Sequence, residues 1–124
     1  MSHGSFVPLI PVDDVPAQGY AVAEIEGYSL LLACLDGEYF AVENLCTHAS
    51  SELEGGRLKL GRISCPLHGQ KFDFRTGASM GGALTRNGLR TFATQLIDGW
   101  VAVDPHPRAG ATVPFQELSK PSPK

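Results

Sequence analysis

Apolar and polar positions along this chain change over short distances, and every run is interrupted by Gly, Asp or Pro. A period near two is the mark of strands, and no stretch sustains the 3.6-residue period of an amphipathic helix. Phe6-Val7-Pro8-Leu9-Ile10 reads as an edge strand, because its proline cannot donate to an inner ladder. Tyr20 to Ile25 and Ser29 to Leu35 flank Glu26-Gly27-Tyr28 as a hairpin. Asp36-Gly37 is a stronger turn signal and leads into a strand at Glu38 to Val42. Further strands are expected at Arg62 to Ser64, Lys71 to Phe74, Leu89 to Ile97 and Trp100 to Val103, the last two joined by Asp98-Gly99. A short helical turn fits only near Asp13-Asp14-Val15 or just after His48. The pattern predicts an all-β fold, an antiparallel sandwich or barrel. Residues 43–83, poor in strand signal and rich in Gly and polar groups, form an inserted region of loops and short strands.

The chain has 124 residues, enough for one domain, expected over residues 1–104. A hydrophobic share of 43% with 19% charged residues suits a folded core. Residues 105–124 contain five prolines and read as an extended tail. The longest apolar run, Leu30 to Leu35, has six residues, against about 20 for a membrane span. Residues 1–5 hold no basic residue and no signal-type stretch, so no membrane association and a cytoplasmic location are expected. The net charge of −3 gives no reason to expect nucleic acid. Yet residues 1–56 hold nine acids and no Lys or Arg, while residues 57–124 hold ten bases and four acids. Interleaved strands would mix these into an ordinary surface. Kept apart in space, they would orient a docking partner.

The chemistry lies in Cys46-Thr47-His48, then sixteen residues, then Cys65-Pro66-Leu67-His68-Gly69. Cys and His total seven in this chain, and four of them fall into these two matched pairs. Two loops that each offer a thiolate and an imidazole make a four-ligand metal site. Zinc accepts two Cys and two His in tetrahedral geometry, and a zinc-stabilised interaction module is one reading. The mixed pairing within each loop suits two metal centres better. Both thiolates can then serve one iron and both imidazoles the other, as in a Rieske [2Fe–2S] centre. Three cysteines in such a chain do not suggest a disulfide framework.

With these C-x-H and C-P-x-H-G elements, and Phe72-Asp73 beyond them, the sequence resembles the Rieske ferredoxins and Rieske domains over about residues 5–104. The resemblance implies the Rieske fold, with a cluster-binding subdomain at about 43–83 inserted in a β base. It implies that Cys46 and Cys65 ligate the inner iron of one [2Fe–2S] cluster, and His48 and His68 the outer iron through Nδ1. It implies a one-electron carrier without catalysis of its own, like the ferredoxin component of aromatic-ring-hydroxylating dioxygenase systems. Its partners would be an NAD(P)H-dependent flavin reductase and a terminal oxygenase, met briefly by a monomer. The alternative is a small Rieske subunit of a reductase complex of the nitrite-reductase type. An oxygenase in its own right is excluded: mononuclear iron needs two more His and a carboxylate, and only His3 and His106 remain, near the two ends.

Around the motif, Pro66 is expected to hold Cys65 extended, and Gly69 either to admit the cluster or to make a turn. Cys34 reads as a structural thiol in an apolar run. Trp100 reads as a core-edge residue, and Glu43, Glu52 and Glu54 as a solvated face. Met80-Gly81-Gly82-Ala83 lacks the prolines that the family often places over its cluster.

Charge counting sets the redox behaviour. Two ferric ions, two sulfides and two thiolates sum to zero with neutral imidazoles, whereas a four-thiolate cluster carries a net negative charge. The neutral cluster accepts an electron more readily. Its reduced form favours protonated imidazole, which couples reduction to proton uptake at His48 or His68. The high-potential members of the family carry a disulfide where Ser51 and Leu67 stand here, and Ser and Tyr hydroxyls where Gln70 and Phe72 stand. Fewer hydrogen bonds to sulfur destabilise the added electron. A redox titration is expected to find a midpoint near the lower end of the Rieske range, roughly −150 to +300 mV. A midpoint near the upper end would contradict this reading of Ser51, Leu67 and Phe72.

Overall fold

The computed structural model describes residues 6–46, 52–66, 69–80 and 88–107. Their strands form three antiparallel sheets. The first is three-stranded and combines β1 (Val7–Pro11), β10 (Thr94–Ile97) and β11 (Trp100–Val103) in the order β1-β11-β10. The second comprises β2 (Ala21–Ile25), β3 (Tyr28–Leu35), β4 (Glu38–Glu43) and β9 (Thr91–Phe92) in the order β2-β3-β4-β9. The third comprises β5 (Leu58–Lys59), β6 (Arg62–Ser64), β7 (Lys71–Asp73) and β8 (Ser79–Met80) in sequence order. A single 3₁₀ turn at Val12–Asp14 is the one helical element among the described residues. The expected turn after His48 falls outside them.

The β2-β3-β4-β9 sheet is the middle layer, and β3 shows why. Leu30 and Leu32 project into one core with Ile10, Phe92, Val101 and Val103. Leu31 and Ala33 project the other way, into a core with Ile63, Phe72 and Phe74. A strand buried on both faces needs apolar residues at successive positions, and the six-residue run of the sequence is this strand. Its partner β4 divides likewise, Ala41 to the first core and Val42 to the second. All four leucine and alanine positions of β3 from 30 to 33 are fully buried.

Two-residue turns set the registers. At Glu26-Gly27, Asp36-Gly37, Leu60-Gly61 and Asp98-Gly99 both residues have positive φ. This matches the type I′ geometry, whose twist suits paired strands. Glycine tolerates it and Asp accepts it at modest cost, but Glu26 and Leu60 hold φ +51° and +54°, Leu60 with 86% of its surface exposed. Pro8 lies on the edge strand β1, as expected, beside a register shift between Pro8 and Ile10. One expectation needs correction. Leu89 to Ile97 is not one strand: Thr91 and Phe92 pair with β4, whereas Thr94 to Ile97 pair with β11. The chain changes sheets at Ala93, whose carbonyl accepts the Asp104 amide at 3.0 Å. The Thr94 hydroxyl donates to the Tyr39 carbonyl at 2.7 Å and ties the two sheets together. Alternation alone cannot reveal such a crossing.

Candidate metal centre

Two of the predicted ligands are described, and the fold brings them into one core. Cys46 lies just beyond β4 of the middle sheet, and Cys65 directly follows β6 of the third sheet. Both are buried, at 0% and 1% exposure, in the cluster that contains Leu53, Phe72 and Leu89. Neither is in a disulfide. His48 and His68 lie outside the described residues, as do Ser51, Leu67, His3 and Gly81-Gly82-Ala83. Cys34 belongs with the opposite core, packed against its buried residues from the other side of the middle sheet. Burial raises the pKa of the neighbouring Tyr39 hydroxyl, and Cys34 and Asp13 add to the effect. Cys34 is thereby separated from the cysteine pair, in accord with a structural role.

The first loop is closed by a residue the motif does not include. Asn44, 4% exposed, directly follows β4. Its Oδ1 accepts the amides of Leu53 at 2.8 Å and Glu54 at 2.9 Å, and its Nδ2 donates to Ser29 Oγ at 3.2 Å. The two ends of the loop that carries Cys46 are therefore pinned together. Tyr20 secures the outgoing end: its hydroxyl accepts the Gly55 amide and donates to the Gly56 carbonyl, both at 2.9 Å. A polar residue between a strand and an apolar-Cys pair was the sequence signal for Asn44. Tyr20 gave none beyond strand propensity.

The second loop closes through its own backbone. The Cys65 amide donates to the Gln70 carbonyl at 2.8 Å, and the Gly69 amide to the Cys65 carbonyl at 2.9 Å. Gly69 has φ +74°, and a Cβ there would meet nothing within 4 Å. Its glycine therefore answers to backbone conformation and not to close approach. The Cys65–Gln70 bond continues the ladder in which Ser64 opposes Lys71. Gln70 thus stands across from Cys65, on the face that Ile63 and Phe72 also use. Gln70 is 2% exposed, and its Nε2 donates to Lys71 O, Ser79 Oγ and Met80 O at 3.1–3.2 Å. Its Oε1 is buried and has no hydrogen-bond partner among the described residues. Phe72, fully buried in the same core as both cysteines, offers no hydroxyl at all.

Glu43 is bound to Arg90 at 3.3 Å, while Glu52 and Glu54 are exposed, so the expected acidic face is only partly solvated. Trp100 is 40% exposed at the start of β11, as expected of a core-edge residue, and His106 is exposed and bonded to Asp104. No helix among the described residues is long and apolar enough to cross a membrane.

Two buried thiols outside any disulfide, delivered by two closed loops into one apolar core, fit the cysteine-ligated half of an iron–sulfur cluster. The Rieske [2Fe-2S] domain matches residues 5–93. The chain is 30% identical over 99 residues to the ferredoxin component of the naphthalene 1,2-dioxygenase system of Pseudomonas putida, covering 80% of this chain and 94% of that one. It is 33% identical over 101 residues to the ferredoxin component of the p-cumate 2,3-dioxygenase system of the same species, covering 79% and 84%. Among solved structures, the Sphingomonas yanoikuyae B1 ferredoxin superposes with a TM-score of 0.73 at 32% identity, over 80% of this chain and 97% of that one.

This chain belongs to the Rieske [2Fe–2S] domain family. Its cofactor is a [2Fe–2S] cluster, and it is an electron carrier and not itself an enzyme. The zinc module is set aside by this assignment.

The position of Gln70 makes one consequence measurable. Gln70→Glu keeps the shape but replaces an amide whose two N–H groups serve three nearby acceptors by a carboxylate buried beside Cys65. Urea unfolding is expected to show a loss of at least about 2 kcal/mol. A change within about 0.5 kcal/mol, the range of ordinary surface substitutions, would show that the Gln70 amide does not hold the loop.

Proposed function

We propose that this chain carries single electrons from an NAD(P)H-dependent flavin reductase to the terminal oxygenase of an aromatic-ring-hydroxylating dioxygenase system. The observation that carries the proposal is the pair of buried cysteines in a chain whose relatives are ferredoxin components along most of their length. Cys46 and Cys65 would hold one iron, and His48 and His68 the other. Once bound, the cluster supplies reversible one-electron chemistry. The protein residues do the rest. Leu53, Phe72 and Leu89 keep water from the thiolates, since all three are at most 1% exposed. Asn44, Tyr20 and Gln70 hold the loops in place, so little rearrangement need accompany a change of charge. Phe72 withholds a hydroxyl from the sulfur atoms, which favours the oxidised state.

Residues 1–104 form a single domain in this proposal, with the cluster held by about 43–83 and a proline-rich tail at 105–124. The chain acts as a cytoplasmic monomer that binds each partner weakly, as a shuttle must. The reductase-subunit alternative differs in stoichiometry.

The test is a titration of the purified holoprotein into its reductase and oxygenase with NAD(P)H present. Aromatic substrate turnover is expected to be negligible without it, to rise with its concentration and to saturate. Turnover independent of added chain, or purification only in fixed ratio with a reductase, would overturn the shuttle.

A further inference from the structure

The charge division noted in the sequence persists in space only in part. Six lysines and arginines lie among the described residues. Arg75 is paired with Asp36 at 2.6 Å and Arg90 with Glu43 at 3.3 Å. The other four, Arg57, Lys59, Arg62 and Lys71, are all exposed and line one open cleft of about 490 Å³. Cys65 and Pro66 complete its wall, so the cleft adjoins the second ligand loop. Among the described residues no carboxylate lines it, and none of the four cations is in a salt bridge.

This grouping is not what stability would select. Lys59 and Arg62 oppose each other directly in the β5–β6 ladder, and like charges in that position are destabilising. Arg62 has Asp73 as its neighbour on β7, but Asp73 Oδ1 accepts the amides of Arg75 and Thr76. Of the exposed acids, Asp13, Asp14, Glu24, Glu26 and Glu38 stand on or next to the middle sheet and the 3₁₀ turn, whereas Glu54 directly precedes Gly55 of the cleft. Strand order thus groups these four cations in one cleft, although Asp36 and Glu43 are paired with the other two described cations.

We propose that this basic cleft is the docking face of the carrier and that it receives an acidic protein surface on the electron acceptor. The inference rests on the carrier reading above and adds the face and the sign. Exposed charges act over a Debye length of about 8 Å at physiological salt. A partner approaching the second ligand loop therefore feels four nearby cations more strongly than a net charge of −3 spread over the whole molecule. Such fields raise association rates by about ten- to a thousandfold and weaken as salt is added.

Ferricyanide, a small trianion, probes the field without any partner protein. It takes one electron from the reduced holoprotein and leaves ferrocyanide and the oxidised holoprotein. Its rate is followed by stopped flow between about 0.01 M and 1 M salt, over which the Debye length falls from about 30 to 3 Å. The cleft predicts a rate that falls about tenfold or more with salt. In the Arg62→Glu/Lys71→Glu double variant the low-salt rate should drop and the salt dependence should flatten or reverse. A wild-type rate that rises with salt, as the net charge alone requires, would overturn the proposal. Retention on a sulfonate cation-exchange resin at pH 7 and low salt is a second readout that needs no electron transfer. The wild type should bind and the double variant should not, and passage of both would also count against the cleft. If no reducible cluster can be loaded, the carrier reading fails, and resin binding still decides the cleft.

Discussion

The structure depends on a strand that is buried on both sides. β3 sits at the centre of the middle sheet and sends Leu30 and Leu32 to one core and Leu31 and Ala33 to the other. Each fully buried leucine contributes roughly 1.5–3 kcal/mol by removal of apolar surface from water. More important is what this burial fixes. It locks the third sheet, with its ligand loop, onto the same layer whose β4 leads to Cys46. A polar residue at 31 or 33 would weaken the core that holds both cysteines, and one at 30 or 32 would detach the β1-β11-β10 sheet.

From that layer the site follows by short steps. β4 ends at Glu43, Asn44 turns the chain and ties it to Leu53 and Glu54, and Cys46 falls into the apolar core. β6 ends at Ser64, and Cys65 meets it there from a loop closed on Gln70. If Cys46 and Cys65 hold the cluster as proposed, its thiolates lie in a region of low polarity. That environment is compatible with a neutral oxidised centre. It opposes accumulation of negative charge on reduction, and Phe72 supplies no hydroxyl to offset this.

Much of this was legible in the residues themselves. X-Gly turns located β2 to β4 and β11, an edge proline marked β1, and short apolar patterning marked β6 and β7. The Cys-x-His and Cys-Pro-x-His-Gly elements pointed to the metal because ligand chemistry is carried by side-chain identity and spacing. Other features depend on contacts between distant segments. The break at Ala93 exists because two sheets compete for one stretch of chain. β5 and β8 are two-residue strands, too short for any period. Asn44, Tyr20 and Gln70 act on partners that are distant in sequence or defined only by the fold. The double burial of β3 was present as a plain apolar run, and its meaning came from the layers on both sides.

Cys46, Cys65, His48 and His68 are proposed to hold one pair of irons through two sulfur and two nitrogen donors. Electron paramagnetic resonance of the dithionite-reduced protein, with iron and acid-labile sulfide assayed on the same sample, tests it most directly. Two irons and two sulfides per chain are expected, with an average g-value below that of all-cysteine [2Fe–2S] ferredoxins. Absence of both iron and sulfide after anaerobic reconstitution, or the average g-value of a four-thiolate cluster, would contradict it.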